Sequence, residues 1–427
     1  MPIRETPLIR ENAKPMPGGV EALLVLWVAT LPTDRVDLLG GNSGFILTPF
    51  LALTPLALIL LGFRALAQRD GRLYPANTRP FALTLVALAS VILLSALLAL
   101  DPVMSLRRAL HFLAVSGGAF LVALFLVAEE KAARVLARGA EFGLVLMLVF
   151  TLLSLWALLS PDALLLRMGE GIVSLEPSMY GGIIPRFTGS VADPNRTGIA
   201  VIFFLFLLAR FGRPGRRLHF WMGAGVLMAL LTLSRSTVGA GFVLLAVAWL
   251  LRSSSRISRG QLVAVSLAVA VGTGVLLALP GVREAVGETL EPVGTRFSLQ
   301  EGSTRVHLDL MARGVEEGTS SLKRAVIGIG YGNAHMVLQE FFPGNKYGNF
   351  HSGYVTLFAE CGVFALLLFL LILAYPLARP GSFTPIVAAL AAFNVFYQTV
   401  SDPVLWLVFS LAWIAQDQSK RTSSQRE

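Results

Sequence analysis

One histidine and four arginines are the residues of this chain best suited to chemistry. His351 opens the stretch His351-Ser352-Gly353-Tyr354-Val355-Thr356, where the polar segment Gly281–Phe350 gives way to a long apolar run. An imidazole accepts a proton near neutral pH and so can serve as a general base. Arg235 lies in Leu233-Ser234-Arg235-Ser236-Thr237, between two apolar runs with almost no connector, and Arg305 lies in Gly302-Ser303-Thr304-Arg305-Val306-His307. Arg186 and Arg196 flank the turn-rich Phe187–Asn195. A guanidinium is always charged and offers a fork of donors to phosphate oxygens. A base together with such forks suits an anionic leaving group and a hydroxyl nucleophile. A diphosphate-linked lipid and a sugar hydroxyl meet that description.

Each residue also has a plainer reading. Arg235 can snorkel from a helix end, although an arginine between apolar spans is costly unless it faces a polar cavity or an anion. Arg305 can be a solvated loop charge behind a helix cap supplied by Ser303 or Thr304. Arg186 and Arg196 can simply belong to a turn-rich entry into a span. Gly328-Ile329-Gly330-Tyr331-Gly332-Asn333 has a phosphate loop's glycines but lacks its Lys-Ser/Thr and its strand–helix context, so it reads as a flexible turn. Glu360 either faces a cavity or packs on a polar neighbour. Asp101-Pro102 and Asp402-Pro403 read as turn caps. His111 and His219 fall at helix ends, with structural or interfacial roles, and His307 and His335 share the long polar segment with His351. Without a cysteine cluster, a His-Glu-x-x-His or paired histidines at helical spacing, no metal site is expected, and no cofactor is assigned. Cys361 is the single cysteine and is assigned to packing.

The elements that must position these residues are apolar helices. The chain is 55% hydrophobic and only 14% charged over 427 residues, the composition of an all-α polytopic integral membrane protein. Runs such as Phe81–Leu100 and Leu262–Leu279 are long enough to cross about 30 Å of hydrocarbon. Twelve spans are predicted, at 17–32, 44–66, 81–100, 109–128, 142–160, 197–211, 218–233, 235–251, 261–280, 351–375, 382–400 and 402–416, the first of them short and interrupted by Glu21. This gives three parts: spans one to nine over residues 1–280, a large loop over 281–350, and spans ten to twelve with a tail over 351–427. The net charge of +9 is spread in short clusters between apolar runs, the pattern of membrane topogenesis rather than of nucleic-acid binding. Of the 35 lysines and arginines, 21 fall on the side that holds both termini and 14 on the other, seven of those in the long loop. Both termini are therefore predicted cytoplasmic. Within the loop, Leu308, Met311, Val315 and Leu322 share one helical face, which predicts an amphipathic helix over Thr304–Lys323 that lies on the membrane or caps the bundle.

The layout resembles the O-antigen ligase/polymerase family of bacterial envelope glycan enzymes. The resemblance is carried by twelve spans, a large loop between spans nine and ten, Ser234-Arg235-Ser236 ahead of span eight, Ser303-Thr304-Arg305 in the loop, the glycine-rich Gly328–Asn333, and His351 followed after ten residues by Gly362. It is strongest from Ile327 to Phe364, and it departs from the family at Ser352, where Asn is usual. It implies a GT-C-like fold in the inner membrane with its active site facing the periplasm, an undecaprenyl diphosphate-linked glycan donor, and a lipid A-core sugar or growing glycan as acceptor. It further implies His351 as the base, Arg235 and Arg305 as diphosphate ligands with Arg186 and Arg196 behind them, and no metal. A ligase is the leading expectation, a polymerase with the same donor the alternative, and a transporter the competing class.

Overall fold

The computed structural model describes residues 16–39, 47–67, 78–129, 131–159, 173, 175, 178–180, 184–253, 302–339 and 348–424. Among them the regular structure is helical apart from one short antiparallel pair and an isolated antiparallel bridge between Val36 and Val173. The helices are α1 (Gly18–Ala29), α2 (Pro49–Ala67), α3 (Thr78–Leu97), α4 (Pro102–Val127), α5 (Ala132–Leu159), α6 (Pro194–Phe211), α7 (Arg216–Leu231) and α8 (Arg235–Ser253). After the long loop begins, α9 (Gly302–Thr319), α10 (Leu322–Ile327), α11 (Ala334–Val337), α12 (Gly353–Ala378), α13 (Thr384–Phe396) and α14 (Pro403–Ser424) follow. The pair is β1 (Met179–Tyr180) with β2 (Ile184–Pro185).

Six of these helices, α2 to α6 and α12, are long and apolar enough to cross a membrane; α1, α8, α13 and α14 contain shorter apolar stretches. The predicted ninth span, 261–280, and the loop's first part lie outside the described residues. Large apolar side chains face outward along the spans: Phe63, Leu83, Phe142, Leu245 and Phe364 are each more than half exposed. In water such a surface would aggregate; in hydrocarbon it is the expected lipid-facing side. Two helices are buried nearly all round, as a helix with no polar face must be. They are α6, over Thr197–Leu208, and the first three turns of α14.

Polar side chains cluster at the two ends of the bundle. At one end Glu21 pairs with Lys131 and Arg138, Arg64 with Glu129, and Arg217 with Glu141. This explains how the short first span tolerates Glu21: the carboxylate is buried but doubly compensated, by Lys131 just before α5 and by Arg138 within it. The predicted fifth span gains ten residues at its start, because helix α5 begins at Ala132 to carry those cations. The predicted fourth span likewise begins earlier, at Pro102. Asp101 accepts a hydrogen bond from the Met104 amide (3.0 Å), and proline at the first helical position has no N–H to leave unpaired.

The opposite end carries the connections. The α1–α2 segment meets the α6 entry through Asp34 and Arg35 amides donating to the Ser190 carbonyl, and the α6 entry meets the α7–α8 turn through Phe187 N–H to Leu231 O (3.0 Å). Here the glycine-rich loop departs from its reading as a flexible turn. Residues 328–335 are buried, with left-handed φ at Gly328, Gly330 and Gly332. The loop lies across α12 where that helix breaks, at Gly362 (φ 80°, ψ −179°). A break frees helical carbonyls, and in an apolar environment these must be satisfied. Ile329 N–H donates to Ala359 O (3.0 Å), Gly330 N–H to Glu360 O (2.9 Å), and Ser95 Oγ to Glu360 O (2.6 Å).

The amphipathic helix docks through a face other than its apolar stripe. Helix α9 exists, but Leu308 and Val315 face outward, and Leu322 lies beyond the helix end, 82% exposed. Its packed face is Leu310, Gly314, Glu317 and Gly318, because α12 approaches too closely for larger residues. A Cβ at Gly314 would lie 2.4 Å from Val355, and one at Gly318 2.5 Å from Phe358. The glycines that weaken the helix locally are what permit its docking. Ser320, just past α9, and the C-terminus of α14 fall at opposite ends of the bundle. Reporter fusions at the two sites are expected to read opposite sides of the membrane, and a same-side signal would contradict the charge-based topology.

Candidate active site

His351 sits immediately before α12 in a left-handed conformation (φ 53°), held there by its N–H donating to Asn349 Oδ1 (2.9 Å). Non-glycine residues rarely occupy this region, and such strain concentrates at functional positions. Ser352 caps the helix that follows: its Oγ accepts from Val355 N–H (3.5 Å) and donates to Asn394 O (3.2 Å), so the departure from Asn still supplies a cap. The His351 ring stacks on His307 of α9, with centroids 4.2 Å apart and planes 17° apart, and meets the edge of Tyr397 at 5.9 Å. His351 Nδ1 is buried and has no hydrogen-bond partner among the described residues. Burial first, and then the neighbouring His307, lower the imidazole pKa to about 4, with Asp193 opposing both. The ring is thus held neutral, with a lone pair available at ordinary pH.

Beside this histidine, reached through its neighbours Asn349 and Tyr397, lies a cavity of about 410 Å³. Its walls come from the α1–α2 connection, the first half of α4, the start of α6, the loop around Tyr331 and Gly332, and the Tyr397–Pro403 segment. Asn349 and Tyr397, which touch His351, both line it. Three Asp-Pro steps position this end of the bundle. Asp101, Asp193 and Asp402 each accept from a backbone N–H in the first turn of α4, α6 and α14. That repeated dipeptide is a signal in the sequence for which helix ends meet here.

Arg196 is committed within the protein. It pairs with Asp34 and with Asp402 (3.2 Å), bridging the α1–α2 connection to the start of α14. Burial raises the Asp402 carboxyl above its ordinary pKa, against the pull of Arg196. Burial also pushes the Tyr397 phenol well above 10, with Asp193 adding to the effect, so it remains a donor. Arg186 donates from Nε to Thr232 O (2.8 Å), in the turn just before α8. Arg235 is the first residue of α8, half-buried, three residues beyond the Thr232 carbonyl that Arg186 bonds. Arg305 falls in the first turn of α9, two residues before His307, and its side chain lies outside the described residues.

Glu360 does both things considered for it. It lines the cavity, and its carboxylate accepts from Gly332 N–H (2.8 Å) and Ala334 N–H (2.9 Å). The anion cradled by the glycine-rich loop is therefore the protein's own carboxylate. Cys361 is fully buried in α12, as packing requires. Sequence reasoning did not foresee the partnership of His307 with His351, or that Arg107, Arg108 and His111 of α4 would line the same cavity. Among the described residues no group of three or more His, Cys, Asp or Glu side chains could hold a metal ion.

These features define a polytopic helical membrane protein with a polar cavity, and a neutral histidine beside it, at one end of its bundle. No family model matches the chain, and no curated protein is detectably similar to it.

Proposed function

We propose that the protein is an O-antigen ligase, a metal-independent glycosyltransferase of the bacterial inner membrane acting at the periplasmic face. It moves glycan from undecaprenyl diphosphate to a sugar hydroxyl of lipid A-core. The observation that carries this reading is His351: neutral, with Nδ1 unpartnered among the described residues, in a left-handed backbone conformation beside a polar cavity. His351 takes the acceptor hydroxyl proton as the oxygen bonds to the anomeric carbon. The bond from that carbon to the diphosphate oxygen breaks, and the electron pair leaves on undecaprenyl diphosphate. Arg235 and Arg305 receive the developing charge, with Arg186 beside Arg235. Arg196 is already compensated by two carboxylates and gains less from a third anion.

The test is transfer by the purified protein from lipid-linked donor to lipid A-core, with and without chelator. Product on the core means ligase; elongation of lipid-linked glycan alone means the polymerase that shares the donor. No product with either acceptor would sink the reading. Arg235→Lys keeps the charge but loses the bidentate fork. A large fall in transfer at normal membrane abundance is expected, and wild-type turnover would make Arg235 structural.

A further inference from the structure

Two buried hydroxyls in the cavity wall have no use inside the protein. Thr33 and Thr356 are each 2% exposed, both line the cavity, and neither Oγ1 has a hydrogen-bond partner among the described residues. A buried hydroxyl left this way is costly, and such groups call for an explanation. Thr356 is the more telling. It stands in the first turn of α12, where a helical threonine can donate to the carbonyl four residues back. Thr54, Thr84 and Thr319 of this chain do so at 2.8 Å each. Thr356 turns its hydroxyl to no such acceptor.

The charges around the cavity indicate what those hydroxyls would meet. Carboxylates and guanidiniums line it in near balance: Asp34, Asp37, Asp193 and Glu360 against Arg107, Arg108 and Arg196. Most are already engaged. Arg196 pairs with Asp34, Arg108 donates to the Gly332 carbonyl, Glu360 and Asp193 accept backbone amides, and Asp37 accepts from Leu39 and Leu47 N–H. A polyanion would find little uncompensated positive charge. A neutral molecule with many hydroxyls, each both donor and acceptor, matches threonine hydroxyls and carboxylate lone pairs. The cavity volume falls within the roughly 300–1,000 Å³ of small-molecule sites.

We propose that this cavity is a binding site for a neutral saccharide, held through Thr33 and Thr356, and separate from where a diphosphate would lie. Saccharide binding stands on the cavity alone. Taking its occupant as the acceptor sugar, presented to His351 past Asn349 and Tyr397, rests on the glycan-transfer reading.

The experiment uses the full-length protein in nanodiscs with free D-glucose, D-galactose, D-mannose, L-rhamnose and N-acetyl-D-glucosamine as probes. Binding is followed by saturation-transfer NMR, with inorganic diphosphate as competitor. At least one sugar should bind and should not be displaced by diphosphate. Thr33→Val and Thr356→Val should each weaken that binding about 2–10-fold without lowering the unfolding temperature, since each removes only an unpartnered hydroxyl. Overturning results are no binding by any of the five, equal binding by both variants, displacement by diphosphate, or a fall in unfolding temperature showing that the hydroxyls have internal partners. No lipid-linked donor is present. A protein that binds sugar but transfers none refutes the proposed function alone, and one that transfers glycan but fails here refutes the cavity assignment alone.

Discussion

His351→Ala is expected to lower glycan transfer by about 10²–10⁴-fold, the usual worth of a positioned general base, while the protein still folds. His351 is half-buried and its Nδ1 supports no other group among the described residues, so its loss removes the stack on His307 but breaks no hydrogen bond of the ring's Nδ1. Alanine, however, is a poor occupant of φ 53°. His351→Asn separates the two effects: asparagine tolerates the left-handed region and keeps a polar head, but it cannot accept the proton. Both variants should be equally inactive, and Asn should retain the wild-type unfolding temperature. Wild-type turnover by His351→Asn would refute the role. The pH profile adds an independent reading. A base works when deprotonated, and burial with the His307 neighbour places His351 near 4. The acid limb of transfer should therefore lie well below the ordinary imidazole range near 6.5, approaching pH 4. His307→Phe keeps a stacked ring but removes the second imidazole, and should move that limb upward. Linkage fixes the stability effect. Between about 4 and 6.5 the unfolded chain binds a proton at this residue and the folded one does not. Stability is therefore complete above that window and is lost as pH falls through it.

Much of this architecture is legible in the sequence, because hydropathy is a long-range average that local detail does not disturb. The six helices long and apolar enough to cross a membrane fall near predicted spans, and the differences lie at their polar ends. Helices α4 and α5 begin seven and ten residues early because Asp101-Pro102 and the Glu21 ion pairs extend them into polar territory, where apolar run length carries no signal. The histidine is legible from its position at a polar–apolar boundary. Its partners are not, because His307 stands 44 residues away along the chain, and only the docking of α9 through Gly314 and Gly318 brings the rings together. The docking face of α9 is not legible for the same reason. Small residues mark a close helix contact, and an apolar stripe alone does not distinguish that contact from an outward face. A guanidinium at a span entry invites an anion, and for Arg196 two are supplied by Asp34 and Asp402, 162 and 206 residues distant.

Gly362→Ala is expected to destabilise the fold severely, and the reason gives the spacing from His351 to that glycine a physical meaning. At φ 80° and ψ −179° Gly362 occupies a region essentially closed to other residues, at a cost on the order of 1–3 kcal/mol for a side chain. A Cβ there would also lie 2.1 Å from the Val326 carbonyl oxygen, and overpacking against backbone that cannot yield adds about 1–3 kcal/mol more. Together these are a large share of the roughly 5–15 kcal/mol that holds a typical protein folded. The contact is reciprocal. At Gly328, a Cβ would lie 2.2 Å from the backbone of Glu360, so two glycines let one loop cross one broken helix. Nine residues of α12 precede the break, carrying the chain from His351 at the cavity to the carbonyls that receive the loop. Displacing the loop would move Tyr331, Gly332 and Glu360, all in the cavity wall. Thermal unfolding in detergent should show a large fall for Gly362→Ala, or no folded protein at all. Gly117→Ala, in α4 with open space around the added carbon, should be neutral or gain up to about 1 kcal/mol from helix propensity. If the two variants unfold at the same temperature, the break in α12 does not depend on glycine, and the conformational account of the spacing is wrong.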